Sequence, residues 1–155
     1  MKALSLTQPW ATLVAIGAKH YETRSWSTPF RGRIAIAASK GFPGDCRELC
    51  MLSPFAGVLY QAGYTNIASV IAECGNILAV ATIVGVGPTE ACSRRTALGG
   101  VDMAEHEESF GDYSPGRCAW GLADVVRLPR PVPAKGALGL WTLPPDVERA
   151  VMVQL

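Results

Sequence analysis

Lys19, Glu22, Arg24 and Trp26 fall within one eight-residue stretch, and their types could serve recognition or proton transfer. If residues 20–26 are extended, alternation puts Glu22, Arg24 and Trp26 on one face and Tyr21, Thr23 and Ser25 on the other. A carboxylate and a guanidinium then stand side by side, with Lys19 leaning over the same surface. Donors and an acceptor around one small space suit a base edge or a polar carbonyl group. An exposed Glu22–Arg24 pair alone would contribute only about 0–1 kcal/mol and imply no function. Of the two tryptophans here, Trp26 is expected to offer a stacking surface. Trp10 is expected in the core, because an apolar helix needs a large side chain to pack.

The elements that must position these groups are legible from punctuation and period. Lys2–Leu6 reads as a first strand, and Thr7 or Gln8 can cap a helix with Pro9 in its first turn, where a missing N–H does no harm. Trp10, Leu13, Val14 and Gly17 make one buried stripe on a helix running to about Ala18. His20–Trp26 and Arg33–Ser39 read as strands, with Pro29 and Gly32 in the turn between them. Two or three short helices are expected across 41–75, among Pro43, Pro54 and Gly57. Asn76–Val86, rich in Val, Ile and Ala, predicts a central strand buried on both faces. Thr89–Tyr113 is polar and acidic and predicts a rim loop with a helical turn. Arg117–Leu128 predicts a strand, 129–136 a Pro-rich connector, Leu138–Leu143 a last strand, and Pro145 to about Met152 a tail helix. The sum is an α+β fold: a small mixed β-barrel of five to six strands, a helix after the first strand, and short inserted helices.

Composition bounds the function classes. The chain of 155 residues has 49 % hydrophobic and 17 % charged residues, enough to bury one core and the reverse of the balance typical of disorder. A single domain over 1–155 is expected, with a helical insertion at about 41–75. No apolar run reaches the roughly 20 residues of a membrane helix, and nothing resembles an export signal, so a cytoplasmic location is expected. Five cysteines without framework spacing predict free thiols; Cys46 and Cys50 lack a second close pair, and neither a metal nor another cofactor is expected. Residues 1–40 carry six cations against one acid, and residues 41–155 eight cations against twelve acids. A local basic excess in a near-neutral chain favours a pocket for an anionic or electron-rich ligand over a broad phosphate-coating surface.

The motifs also occur in a telling order. Leu4-Ser5-Leu6-x-Gln8-Pro9-Trp10-Ala11, then Gly17-x-Lys19-x-x-Glu22-x-Arg24-x-Trp26, then Arg31-Gly32 leading to Ala38-Ser39, resemble the ASCH domain family, itself related to PUA-like folds. Phe110-Gly111-Asp112-Tyr113, Ala119-Trp120, Pro131-x-Pro133-x-Lys135-Gly136 and Gly139-Leu140-Trp141 resemble its closing strands. The resemblance implies a PUA-type barrel with a cleft beside the first helix, binding RNA, other single-stranded nucleic acid or a modified nucleoside. By the same resemblance Lys19, Glu22 and Arg24 contact the ligand, and Gln8, Trp10 and Ser39 match neighbouring cleft positions.

One branch of the family hydrolyses the amide of N4-acetylcytidine with a lysine, a threonine three residues later and a downstream glutamate. Here Glu22 occupies the threonine position, and alternation aims Thr23 at the opposite face. Lys19 with Glu22 could instead activate a water, with Glu90 or Glu105 as the downstream acid; such groups would also serve RNA cleavage. Other candidates have plainer readings. Ser93-Arg94-Arg95 reads as an exposed loop, His106 as part of a solvated acidic loop, and the acidic 101–112 segment offers a protein-interaction surface by composition alone.

Overall fold

The computed structural model of the chain describes residues 1–92 and 98–155. Six strands form one mixed sheet: β1 (Lys2–Leu6), β2 (Tyr21–Arg24), β3 (Gly32–Ala38), β4 (Asn76–Pro88), β5 (Cys118–Pro133) and β6 (Leu140–Thr142), in the order β2-β5-β4-β3-β1-β6. β1 and β3 are parallel and every other pair is antiparallel. The expected barrel is therefore a curled half-barrel with β2 and β6 at its two edges. The β4–β5 ladder shifts register three times, and such irregularities bend a long strand pair.

The sheet is apolar on both faces. Leu4, Leu6, Ile34, Ile36 and Ala38 pack beneath α1 (Trp10–Ala15), whereas Ala3, Ala35 and Ala37 face the opposite way, toward α5 (Pro145–Met152). Residues of alternating parity thus build separate cores, as expected for strands covered on both sides. Between β3 and β4 stand three short helices, α2 (Gly44–Leu49), α3 (Phe55–Gln61) and α4 (Ile67–Ile71). Their Phe55, Leu59 and Val70 cover Leu13 and Phe110. Consequently α1 is enclosed on more than one side, its Ala11, Val14 and Ala15 on the sheet and Leu13 under the insertion, in place of the single stripe expected.

Three boundaries differ from expectation for local reasons. α1 stops at Ala15 because Gly17 takes φ +75°, and the amides of Gly17 and Ala18 fold back onto the carbonyls of Val14 and Leu13, the Schellman pattern of helix ends. β2 is only Tyr21–Arg24, with bends at Ser25 and Trp26. β5 continues through Pro129, Pro131 and Pro133. Its second edge is paired with β2 only at 118–121, so most of these prolines remove no ladder hydrogen bond. The described residues of 89–113 include short 3₁₀ turns at Thr89–Ala91, Leu98–Gly100 and Glu107–Phe110, and Glu107 and Phe110 are buried, unlike a solvated loop.

Candidate functional site

The turn at Gly17 reverses the chain so that Lys19 enters the interior at the base of β2. Its side chain is 1 % exposed, and Nζ lies 3.7 Å from Glu107 Oε1 without a hydrogen bond to any described residue. Glu107 is fixed independently: its carboxylate accepts the amides of His20 (2.7 Å) and Tyr21 (2.9 Å). Burial pulls the Lys19 ammonium below its ordinary range, opposed by the charges of Glu22 and Glu107. Burial likewise pushes the Glu22 carboxyl up, opposed by Lys19 and Arg24. Two desolvated groups of opposite sign are thus each biased toward neutrality.

Glu22 also forms part of the wall of a cavity of about 420 Å³ between α1, β2, the insertion and the 109–112 segment. Arg24 Nε sits 3.0 Å from Glu22 Oε1, and its Nη2 donates to the Ser5 carbonyl at 2.8 Å, tying β2 to β1. Arg117, also on the wall, donates to the carbonyls of Asp112 (3.1 Å) and Thr23 (3.3 Å). Asp112 lies 3.2 Å from Arg117, and hydrogen bonds from the Ser114 hydroxyl and amide hold its carboxyl below the usual range. Trp10, Phe55 and Phe110 supply the aromatic side; Trp10 meets Phe55 edge-on at 6.3 Å, and Phe55 meets Phe110 at 4.9 Å. Two guanidiniums and two carboxylates facing an aromatic wall can read a planar, polar ring by stacking and by edge contacts.

The residues expected to share one cleft are distributed over five places. Glu22, Arg24 and Trp10 line the cavity together, whereas Lys19 does not line it: buried beside Glu107, it feels the charge of Glu22. Trp10, expected in the core, is half-buried with its ring on the cavity. Trp26, expected to stack on ligand, instead packs edge-on against Trp120 at 4.6 Å and accepts Trp120 Nε1 on its carbonyl. The end of β2 at Arg24 breaks the alternation that would have aimed it at the cleft. Gln8 is fully buried; it accepts the Thr12 amide and donates to the Thr12 hydroxyl, so it satisfies the start of α1. Ser39 lines a second, adjoining cavity.

Thr23 borders the first cavity, but its hydroxyl accepts the Asp112 amide at 3.0 Å. Of the acids considered for a downstream role, Glu90 is exposed and accepts the Gly116 amide, and Glu105 is exposed. Glu107 is the acid beside Lys19. Its composition is that of its exposed neighbours Glu105 and Glu108; only burial of Phe110 three residues later marks the turn as inward-facing. Ser93-Arg94-Arg95 lies outside the described residues. All five cysteines are free thiols, and burial raises that of Cys50 to about 11. Among the described residues no three His, Cys, Asp or Glu side chains gather as a metal site, and no helix is long and apolar enough to cross a membrane.

Comparison with known proteins bears on this geometry. The profile of the ASCH domain matches residues 4–129. Activating signal cointegrator 1 of Homo sapiens is 52 % identical over 48 residues, 30 % of this chain and 8 % of that protein. The same protein of Mus musculus is 58 % identical over 48 residues, with the same shares. The chain therefore spans under a tenth of the length of these relatives. Among solved structures, the ASCH protein of Zymomonas mobilis superposes with a TM-score of 0.53 at 14 % identity, covering 98 % of this chain and 93 % of that one. A tyrosine-to-phenylalanine variant of it gives 0.56 at 15 % identity, covering 98 % and 96 %. At such identities the likeness concerns the fold.

Proposed function

Because this chain belongs to the ASCH domain family, a family of PUA-like modules associated with RNA binding, we propose that it binds single-stranded RNA or DNA, or a modified nucleoside, in the cavity beside α1. The observation that carries the reading is the division of that cavity into an aromatic side, Trp10 with Phe55, and a charged side, Glu22 with Arg24 and Arg117. A base unstacked from its neighbours can enter between them, whereas a base inside a duplex cannot. Glu22 accepts from an exocyclic amine, the guanidiniums donate to base carbonyls, and Trp10 supplies the stacking face. Lys19 acts through Glu22 as a positioning residue.

Titration of intrinsic tryptophan fluorescence with an eight-nucleotide single-stranded RNA tests this. Trp10→Ala and Arg24→Met should each weaken binding about tenfold, the lower part of the range for one stacked base; Trp26→Phe should leave affinity unchanged. Wild-type affinity in both cavity variants would remove the cavity from the account.

One observation favours a second, catalytic reading: a buried lysine with a depressed proton affinity stands beside a buried downstream glutamate, Lys19 with Glu107. In an amidohydrolase acting on N4-acetylcytidine, water adds to the acetyl carbonyl, the C–N bond breaks, and acetate and cytidine leave with the water's atoms divided between them. Following the ultraviolet spectrum of N4-acetylcytidine decides the matter. Turnover abolished by Lys19→Met supports the enzyme; no turnover at high protein concentration leaves the binding module.

A further inference from the structure

A second cavity of about 1050 Å³ adjoins the first, and the two share Ser5, Thr7 and Arg24 in their walls. Topology explains its position. β1 and β3 are parallel, and β4 is antiparallel to both β3 and β5, so β1, β3 and β5 all leave the sheet at the same end. Two residues past the ends of β3 and β5 come Lys40 and Lys135, both exposed, and both line this cavity. Segment 134–139 closes over β1 so tightly that a Cβ on Gly136 would lie 2.7 Å from Ser5 Oγ, while Ser5 Oγ accepts Trp141 Nε1 at 3.0 Å. The Lys135 turn is thereby anchored directly above the shared wall.

The charge of the two cavities differs in kind. The first holds Glu22 and Asp112 as well as its guanidiniums; the second is lined by Arg24, Lys40 and Lys135 and, among the described residues, by no carboxylate. Neither lysine has a carboxylate partner within 4 Å among the described residues. Mixed charge beside aromatic rings suits a base, and an all-cationic hollow suits phosphate. A continuous cleft with that sequence of environments matches a base followed by its own phosphate.

We infer that the second cavity is a nucleotide-phosphate subsite, in which Lys40 and Lys135 hold the phosphate of the nucleotide whose base occupies the first cavity. The inference rests on the proposed base site and sharpens it: the ligand carries a phosphate, so a nucleotide or an oligonucleotide is bound in preference to a free nucleoside. Arg24, common to both walls, sets the register between base and phosphate.

The test compares ribonucleosides, their 5′-monophosphates, trinucleotides and trinucleotides with an uncharged methylphosphonate backbone, each against wild-type protein and the double variant Lys40→Ala/Lys135→Ala. With wild type, trinucleotides should bind at least tenfold tighter than nucleosides or the uncharged analogue. The double variant should lose about tenfold for the trinucleotide and nothing for the nucleoside, and its slope of log affinity on log salt should fall by about 0.7, the value for one phosphate no longer neutralised. If the monophosphate gains as much as the trinucleotide, one phosphate monoester suffices; if it gains nothing, a phosphodiester is required. Wild-type binding of the trinucleotide by the double variant, with an unchanged salt slope, overturns the subsite and leaves the base cavity standing. Failure of wild type to bind any of the four probe classes overturns the base cavity as well.

Discussion

Two buried carboxylates flank α1, and they are treated in opposite ways. Glu73 accepts from the Thr12 hydroxyl (2.8 Å), the Tyr64 hydroxyl (2.7 Å) and Arg127 (2.9 Å), and Gln8 completes the chain by bonding Thr12. Every polar group of that network has a partner, and the network ties α1, the insertion and β5 together. On the other side Glu107 accepts three backbone amides, those of His20, Tyr21 and Ala104, yet among the described residues the Lys19 ammonium beside it finds no hydrogen bond, nor does the buried Tyr113 hydroxyl. A closed network specifies a structure, whereas buried polar groups left unsatisfied require another reason to be there. On the proposed function, proximity to the cavity supplies that reason for Lys19: the first carboxylate holds the fold, and the second stands beside the proposed site.

The largest expected effect comes from attacking the closed network. Glu73→Ala strips an acceptor from Thr12, Tyr64 and Arg127 at once, and should cost about 3 kcal/mol, at the low end for breaking a buried pair because Arg127 is half-exposed. That corresponds to a fall in Tm of about 10 °C for a chain of this size. Urea and thermal unfolding measure it, and RNA affinity of the folded protein should stay at the wild-type value. Lys19→Met should shift the balance the other way: a smaller stability loss than Glu73→Ala, because Glu107 keeps its three backbone amide donors and the substitution removes a desolvated charge along with its pairing, but RNA affinity lower by about tenfold, or 1.4 kcal/mol. If Lys19→Met unfolds the protein while Glu73→Ala weakens binding, the assignment of roles is inverted.

How much of this contrast was legible in the sequence follows from its range. Local signals carried well: period and punctuation gave β1, β3, β4 and α5 close to their observed limits, and the ordered motifs led to the ASCH family. Glu22 and Arg24, two apart on one strand, were legible as a pair. Long-range pairings were not. Glu73 lies 61 residues from Thr12 and Glu107 lies 86 residues from Tyr21, and no spacing rule joins such positions. The positions of the two tryptophans differ from what residue type alone suggested for a related reason. Trp10 packs edge-on against Phe55 of the inserted helices while remaining half-buried on the first cavity, and Trp26 turns inward because β2 ends two residues before it. Those outcomes are set by packing between segments, which residue type alone does not encode.

A smaller effect probes how Lys19 is delivered. Gly17 holds φ +75°, and a Cβ there would meet nothing within 4 Å, so Gly17→Ala should cost about 1 kcal/mol purely through the left-handed backbone. Because Lys19 is positioned by that turn and Glu73 is not, the variant should also weaken RNA binding, by a few-fold and less than Lys19→Met does. A stability loss with fully retained affinity would show that Glu107 alone is enough to place Lys19.

The smallest effect distinguishes the two networks by pH. Burial raises the Glu22 carboxyl above its ordinary 4.5, while Lys19, Arg24 and Arg117 pull it back. The folded chain then takes up this proton more readily than the unfolded one. The resulting stabilisation is fully present below pH 4.5 and is lost as pH rises through the higher folded value. The stability difference between wild type and Glu22→Gln, measured by urea unfolding from pH 4 to 7, should accordingly shrink as pH rises. In a Lys19→Met background the loss should extend to higher pH, because a cation that favours ionised Glu22 is gone. A difference that grows with pH instead would mean that the cations outweigh desolvation, and that the Lys19–Glu22 side of the molecule is as fully compensated as the Glu73 side.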